Sequence, residues 1–133
     1  MVLDLDCVRD VLLTVERLSE FDSSMSYKPL SVEDIHGALP GYPLHIVYYT
    51  LLKLEDAGYI YALNGNPKKL VQQYDLRAFT VLDLTFSGSE YLNAVRSPDS
   101  WNKIKPYARD LTFEGIKFAL GKLALKAIPF LTS

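Results

Sequence analysis

Residues 51–60, Leu51-Leu-Lys-Leu-Glu-Asp-Ala-Gly-Tyr-Ile60, constrain the fold of this chain more than any other stretch. Leu51 and Leu54 extend an apolar series begun by Leu44, Val47 and Tyr48 at steps of three or four residues, the spacing of a helix buried along one side. The series stops at Gly58, where the left-handed C′ position of a helix penalises any β-carbon. Tyr59-Ile-Tyr-Ala-Leu63 follows at once and is aromatic and β-branched, so it reads as a strand. The chain must therefore pass from a half-buried helix into a strand across a single glycine.

The flanking segments supply what that junction needs. Cys7, Val8, Val11, Leu12, Val15 and Leu18 recur at helical spacing, which predicts a first helix from about Asp4 to Ser19 with an acidic first turn suited to the helix dipole. After the Ser-rich connection Phe21–Tyr27, the segment Tyr27-Lys-Pro-Leu30 reads as a short edge strand, a place where proline is tolerated. Ser31 reads as the N-cap of a short second helix that turns Ile35 and Leu39 inward. Pro40-Gly-Tyr-Pro43 makes a turn, and Pro43 suits the first turn of a third helix over Pro43–Ala57, since its missing N–H is needed by no partner there. Asn64-Gly-Asn-Pro67 is a turn signal, Lys68–Ala78 reads as an elaborated wing tip, and Phe79–Leu84 as the returning strand. This order is that of a winged helix-turn-helix. Thr85 is expected to cap a fourth helix running to about Val95, Ser97-Pro-Asp-Ser100 to break it, and a fifth helix to start near Thr112. Leu84-Thr-Phe-Ser-Gly88 returns as Leu111-Thr-Phe-Glu-Gly115, which we read as one capping solution used twice. The expected class is mainly α with a small β wing (α+β). Residues 1–96 form the winged-helix domain, and residues 97–133 a C-terminal helical extension for oligomerisation or docking.

Asp6-Cys-Val-Arg-Asp-Val-Leu-Leu13, Leu51–Ile60, and Leu84-Thr-Phe-Ser-Gly-Ser-Glu-Tyr-Leu92 with Val95-Arg96 and Trp101-Asn-Lys103 together resemble an uncharacterised family of small bacterial and prophage proteins, a domain of unknown function. The resemblance runs to about Lys105. It implies a winged-helix-like fold and residence on mobile elements, and it carries no catalytic residues over. The long segment Lys68–Ala78 departs from the usual form of that family.

Chemistry other than binding has little to stand on. Cys7 is the sole cysteine, so no internal disulfide forms, and with His36 and His45 the only histidines there is no zinc-ligand spacing. Neither a phosphate-binding glycine loop nor a nucleophile-elbow motif occurs. The expectation is a non-enzyme without metal or cofactor. No apolar run approaches the roughly 20 residues that span a bilayer, and Asp4, Asp6 and Asp10 interrupt the only stretch that could serve as a signal peptide, so a cytoplasmic protein is expected. Charge is unevenly divided. Residues 1–100 carry eight Lys or Arg against fourteen Asp or Glu, a net of −6, whereas residues 101–133 carry six against two, a net of +4.

For a DNA reader, the outer side of the third helix must offer polar and basic groups. The helical wheel places His45, Ile46, Tyr49, Thr50, Leu52, Lys53 and Asp56 there. His45, Tyr49, Thr50 and Lys53 suit double-stranded DNA, with Lys68 and Lys69 of the wing as phosphate contacts. Ile46 and Leu52 suit a protein partner instead, and Asp56 opposes phosphate. Phe113, Ile116, Leu120, Leu123 and Ala127 form an apolar arc on the last helix, opposite Lys122 and Lys126, and are expected to make a homodimer contact. Phe118 and Leu125 form a second apolar strip, and contact of this helix with a membrane is not expected. The function expected is that of a DNA-binding, transcription-regulator-like protein, the alternative being a protein-interaction module of a phage or mobile element with a degenerate DNA-reading surface.

Overall fold

Asp4 opens the first element. Its carboxylate accepts from the Cys7 N–H at 3.1 Å and so caps α1, Leu5–Leu18, while Ser19 closes it. In this computed structural model, which describes residues 1–63 and 78–126 with side chains as far as Lys122, five more helices and three strands follow among the described residues. They are β1 (Leu30–Ser31), α2 (Val32–Gly37), α3 (Leu44–Asp56), β2 (Ile60–Leu63), β3 (Thr80–Leu84), α4 (Phe86–Val95), α5 (Pro98–Ala108) and α6 (Phe113–Lys126). The fold is α+β, mainly helical with one small antiparallel sheet.

The caps expected from the sequence are present. Ser31 Oγ accepts from the Asp34 N–H at 3.0 Å, and the Asp34 carboxylate accepts from the Ser31 N–H at 3.0 Å, a reciprocal box at the start of α2. Thr85 Oγ1 accepts from Gly88 N–H at 3.1 Å, and Thr112 Oγ1 from Gly115 N–H at 3.0 Å, so the repeated pentad does cap two helices in one way. Gly58 has φ +76°, the left-handed conformation that ends α3.

Three boundaries differ from the sequence reading, the first being the edge strand expected over Tyr27–Leu30, which is Leu30–Ser31. The second helix stops at Gly37, short of Leu39, because the chain folds into a turn held by Leu39 N–H on the His36 carbonyl (2.9 Å) and Tyr42 N–H on the Leu39 carbonyl (3.1 Å). Ser97-Pro98, expected only to break a helix, also begins α5. Ser97 Oγ accepts from the Ser100 N–H and Pro98 occupies the first helical turn, where no N–H is missed.

The strands run in the order β1-β3-β2, so β1 and β2 are both edges. Ile60 faces Leu84 and Tyr61 faces Asp83, and a bulge after Tyr61 brings Ala62 opposite Val81. Ile60 and Leu84 are buried and Tyr61 is exposed, as alternation across a sheet demands, and the bulge lets Val81, three residues before Leu84, be buried as well. The chain divides into two compact units, Met1–Ser89 and Glu90–Ser133. In the first, α1 packs on α3 and β3, and α3 also touches α2 and β2, burying Val8, Val11, Leu12, Ile35, Leu51 and Phe79 completely. Side chains of this kind contribute about 1.5–3 kcal/mol each. In the second unit α5 packs on α6, with Trp101, Ile104, Ile116 and Leu120 buried.

Candidate functional site

Helix α3 is positioned by the turn before it. Tyr42 donates its phenol hydrogen to Asp10 Oδ2 of α1 at 2.6 Å, and the Tyr42 carbonyl lies 2.9 Å from His36 Nε2. Burial first, then the bond to Asp10, pushes the Tyr42 phenol far above its ordinary range, which favours the protonated, donating form. The turn is thereby tied to both α1 and α2.

On the outer side of α3, His45 and Lys53 are exposed, and Tyr49 between them is half-buried. The Lys53 ammonium sits 5.5 Å from the centre of the Tyr49 ring, and the Tyr49 phenol donates to the Met1 carbonyl at 3.2 Å. Ile46 and Leu52 are half-buried and Asp56 is exposed. Thr50 corrects the sequence reading: it is fully buried, 2.8 Å from the Ile46 carbonyl and 3.4 Å from Cys7 Sγ, and reaches no outside ligand. Its place on the helical wheel misleads because α3 is covered on the α1 side as well as on the sheet side. Burial raises the Cys7 thiol above its usual value despite the opposing bond from Thr50, leaving it a small apolar side chain rather than a nucleophile. Lys68 and Lys69 lie outside the described residues.

The tyrosines divide by role. Tyr59 is buried, Tyr48 sets its ring edge against Phe79 at 6.0 Å, and Tyr61 stands 53% exposed on β2. Around Tyr61 lies a surface the sequence reading did not single out. Phe21 and Tyr27 stack with centroids 4.7 Å apart, and the Tyr27 phenol donates to Asp83 Oδ2 at 2.8 Å. The only sequence signal for it was the period of two along Tyr59–Leu63, which sends Tyr61 to the open face.

On the last helix the interface expectation is also corrected. Ile116 is fully buried and Leu120 is 3% exposed within the chain itself, so neither is free to meet a second copy. Phe113 is half-buried with its ring 5.0 Å from that of Tyr91. The outward apolar group is Phe118, 66% exposed, with the Lys122 ammonium 4.8 Å from its ring centre. The Leu123 side chain and Ala127 lie outside the described residues.

Among the described residues no cluster of His, Cys, Asp and Glu could hold a metal ion, and no helix is long and apolar enough to cross a membrane. No curated protein matches the chain, and no solved structure does. Residues 2–114, spanning the first five helices, the sheet and the start of α6, match the family described as Hypothetical protein (DUF2513), and the chain belongs to that family.

Proposed function

We propose that this chain is a non-enzymatic winged helix-turn-helix protein of a phage or other bacterial mobile element, acting in the cytoplasm as a DNA-binding regulator. The order helix, strand, helix, helix, strand, strand supports the fold reading, as does the sheet order β1-β3-β2. In such a fold α3 enters the major groove and the β2–β3 connection approaches the backbone. The observation that supports the DNA reading is the stripe of exposed His45, half-buried Tyr49 and exposed Lys53, set at four-residue steps on a helix whose preceding turn is anchored by Tyr42. Lys68 and Lys69 belong to the β2–β3 connection and supply phosphate contacts in this reading. Fluorescence anisotropy of short unrelated duplexes tests it. Affinity should fall steeply with salt, and Lys53→Ala should weaken all duplexes alike and flatten the salt slope by about one unit.

A second reading, a protein-interaction module, is favoured by a specific observation. With Thr50 buried, the outer side of α3 holds the half-exposed Ile46 and Leu52 and the anionic Asp56 beside a single lysine. A partner whose binding ignores salt and is lost on substitution of Ile46 or Leu52 would replace the DNA reading. In either case the proposed homodimer forms through the outward side of the C-terminal unit, with Phe118 in place of Ile116 and Leu120.

A further inference from the structure

We propose that the surface formed by Phe21, Tyr27 and Tyr61 around Asp83 binds an arginine side chain of a basic partner protein. Tyr61 and Asp83 are direct cross-strand partners, so their side chains share the outer face of the sheet. Tyr27 reaches the same carboxylate from the loop before β1, and Phe21 stacks on Tyr27. Phe21 is 54% exposed and Tyr61 53% exposed, a large aromatic area to leave in water.

Among the described residues no cation meets the carboxylate that these rings surround. Asp83 Oδ2 accepts from Tyr27, and Oδ1 accepts from the Leu84 N–H at 2.7 Å, which fixes the orientation of the group. Among the described residues no Lys or Arg forms an ion pair with it, and Lys28, nearby in the loop, is held by Glu20 at 3.0 Å. Each oxygen keeps a lone-pair direction free. The bond to Asp83, then desolvation and the nearby charge, raise the Tyr27 phenol, so it remains the donor that holds the carboxylate in place.

The loop that carries Phe21 and Tyr27 is prebuilt. Asp22 Oδ1 accepts from the Ser24 N–H, the Ser24 hydroxyl and the Ser26 N–H at 2.8, 2.6 and 3.1 Å, and Met25 adopts φ +64°. A non-glycine residue in the left-handed region is strained, and the network around Asp22 offsets that strain. Ordering the platform therefore adds little to the cost of binding.

Charge complementarity selects the occupant. Residues 1–89 carry seven Lys or Arg against twelve Asp or Glu, so this unit attracts cations. Aromatic faces beside a fixed carboxylate favour guanidinium over ammonium, because the planar group stacks on a ring while its N–H fork meets both oxygens. This surface is separate from the outer side of α3 and does not depend on the DNA reading.

Titration of the full chain with hexa-arginine and hexa-lysine peptides, followed by NMR and calorimetry, tests the proposal. Hexa-arginine should bind more tightly than hexa-lysine and shift the Tyr61, Tyr27 and Asp83 resonances. Tyr61→Ala should weaken it about two- to fivefold, the range for one exposed cation–π contact, and Tyr61→Phe should restore it. Asp83→Asn, whose amide oxygen can accept from the Leu84 N–H while its NH2 donates to the Tyr27 phenol oxygen, should weaken hexa-arginine more than hexa-lysine, whereas Glu33→Gln, at an exposed position of α2, should change neither. Equal affinity for the two peptides, or wild-type affinity in both Tyr61→Ala and Asp83→Asn, overturns the proposal as general charge attraction. A dimer that Tyr61→Ala converts to monomer, or Tyr61 shifts produced by duplex DNA alone, overturns it in favour of another occupant.

Discussion

Gly88 and Gly115 hold the same place in the repeated pentad, yet they are glycine for different reasons. A β-carbon on Gly88 would run into the carbonyl oxygen of Tyr59, a backbone atom fixed by its bond from the Thr85 N–H at 3.0 Å. Thr85 Oγ1 also donates to the Gly58 carbonyl at 2.6 Å, so the start of α4 is clasped onto the α3–β2 junction. At Gly115 the nearest atom to an added β-carbon is the Thr112 hydroxyl oxygen at 3.3 Å, a side-chain atom able to yield. Gly88→Ala should therefore lower stability by about 1–3 kcal/mol in urea unfolding, while Gly115→Ala should stay within about 1 kcal/mol of the parent. Thr50→Val makes a parallel case. It keeps the shape of a buried residue, removes its hydroxyl, and should cost about 1 kcal/mol without altering any binding affinity. A binding defect in Thr50→Val at unchanged stability would return that residue to the outer face.

Whether an element was legible in the sequence depended on whether its determinants are local. Asp4, Ser31, Thr85 and Thr112 act on backbone groups three residues away, so their caps could be read from spacing alone. Gly58 was readable for the same reason. Helix α5 was not, because a serine followed by proline reads as an ending when the helix before it is in view and as a beginning only when Trp101, Ile104 and Ala108 find a surface. The side of α3 given to Thr50 was missed because a wheel with one apolar stripe does not show that α1, α2 and β2 surround the helix. The same crowding acts at the C-terminal turn of α3. Glu55 Oε2 is buried without a hydrogen-bond partner among the described residues, and burial, then the charge of Asp56, raise its carboxyl above the ordinary 4.5. The folded chain thus holds this proton more tightly than the unfolded chain, and stability from this group falls as pH rises from about that value through the raised one. Glu55→Gln should match the parent melting temperature below pH 4.5 and exceed it at neutral pH, where only the parent carries the charge. Parallel melting curves at all pH values would show that burial does not act on this carboxyl.

At the scale of the whole chain, charge and apolar surface are distributed differently. Residues 1–89 have five more acidic than basic groups, and residues 90–133 have seven Lys or Arg against four Asp or Glu. The basic unit also carries Tyr107 and Phe118, each 66% exposed, on a helix pair whose inner residues are already covered. The apolar arc of the last helix was legible from its spacing, but spacing alone could not say which of its residues the chain covers by itself. Two kinds of variant separate self-packing from association. Ile116→Ala removes a fully buried side chain and should cost about 2–5 kcal/mol whatever the oligomeric state. Phe118→Ser removes an exposed one, so it should leave the isolated chain about as stable while abolishing a dimer that depends on it. Light scattering across a dilution series should then give a dimer mass for the parent and a monomer mass for Phe118→Ser. A parent that is monomeric at every concentration would reject the dimer and leave the outward side of the C-terminal unit to another partner.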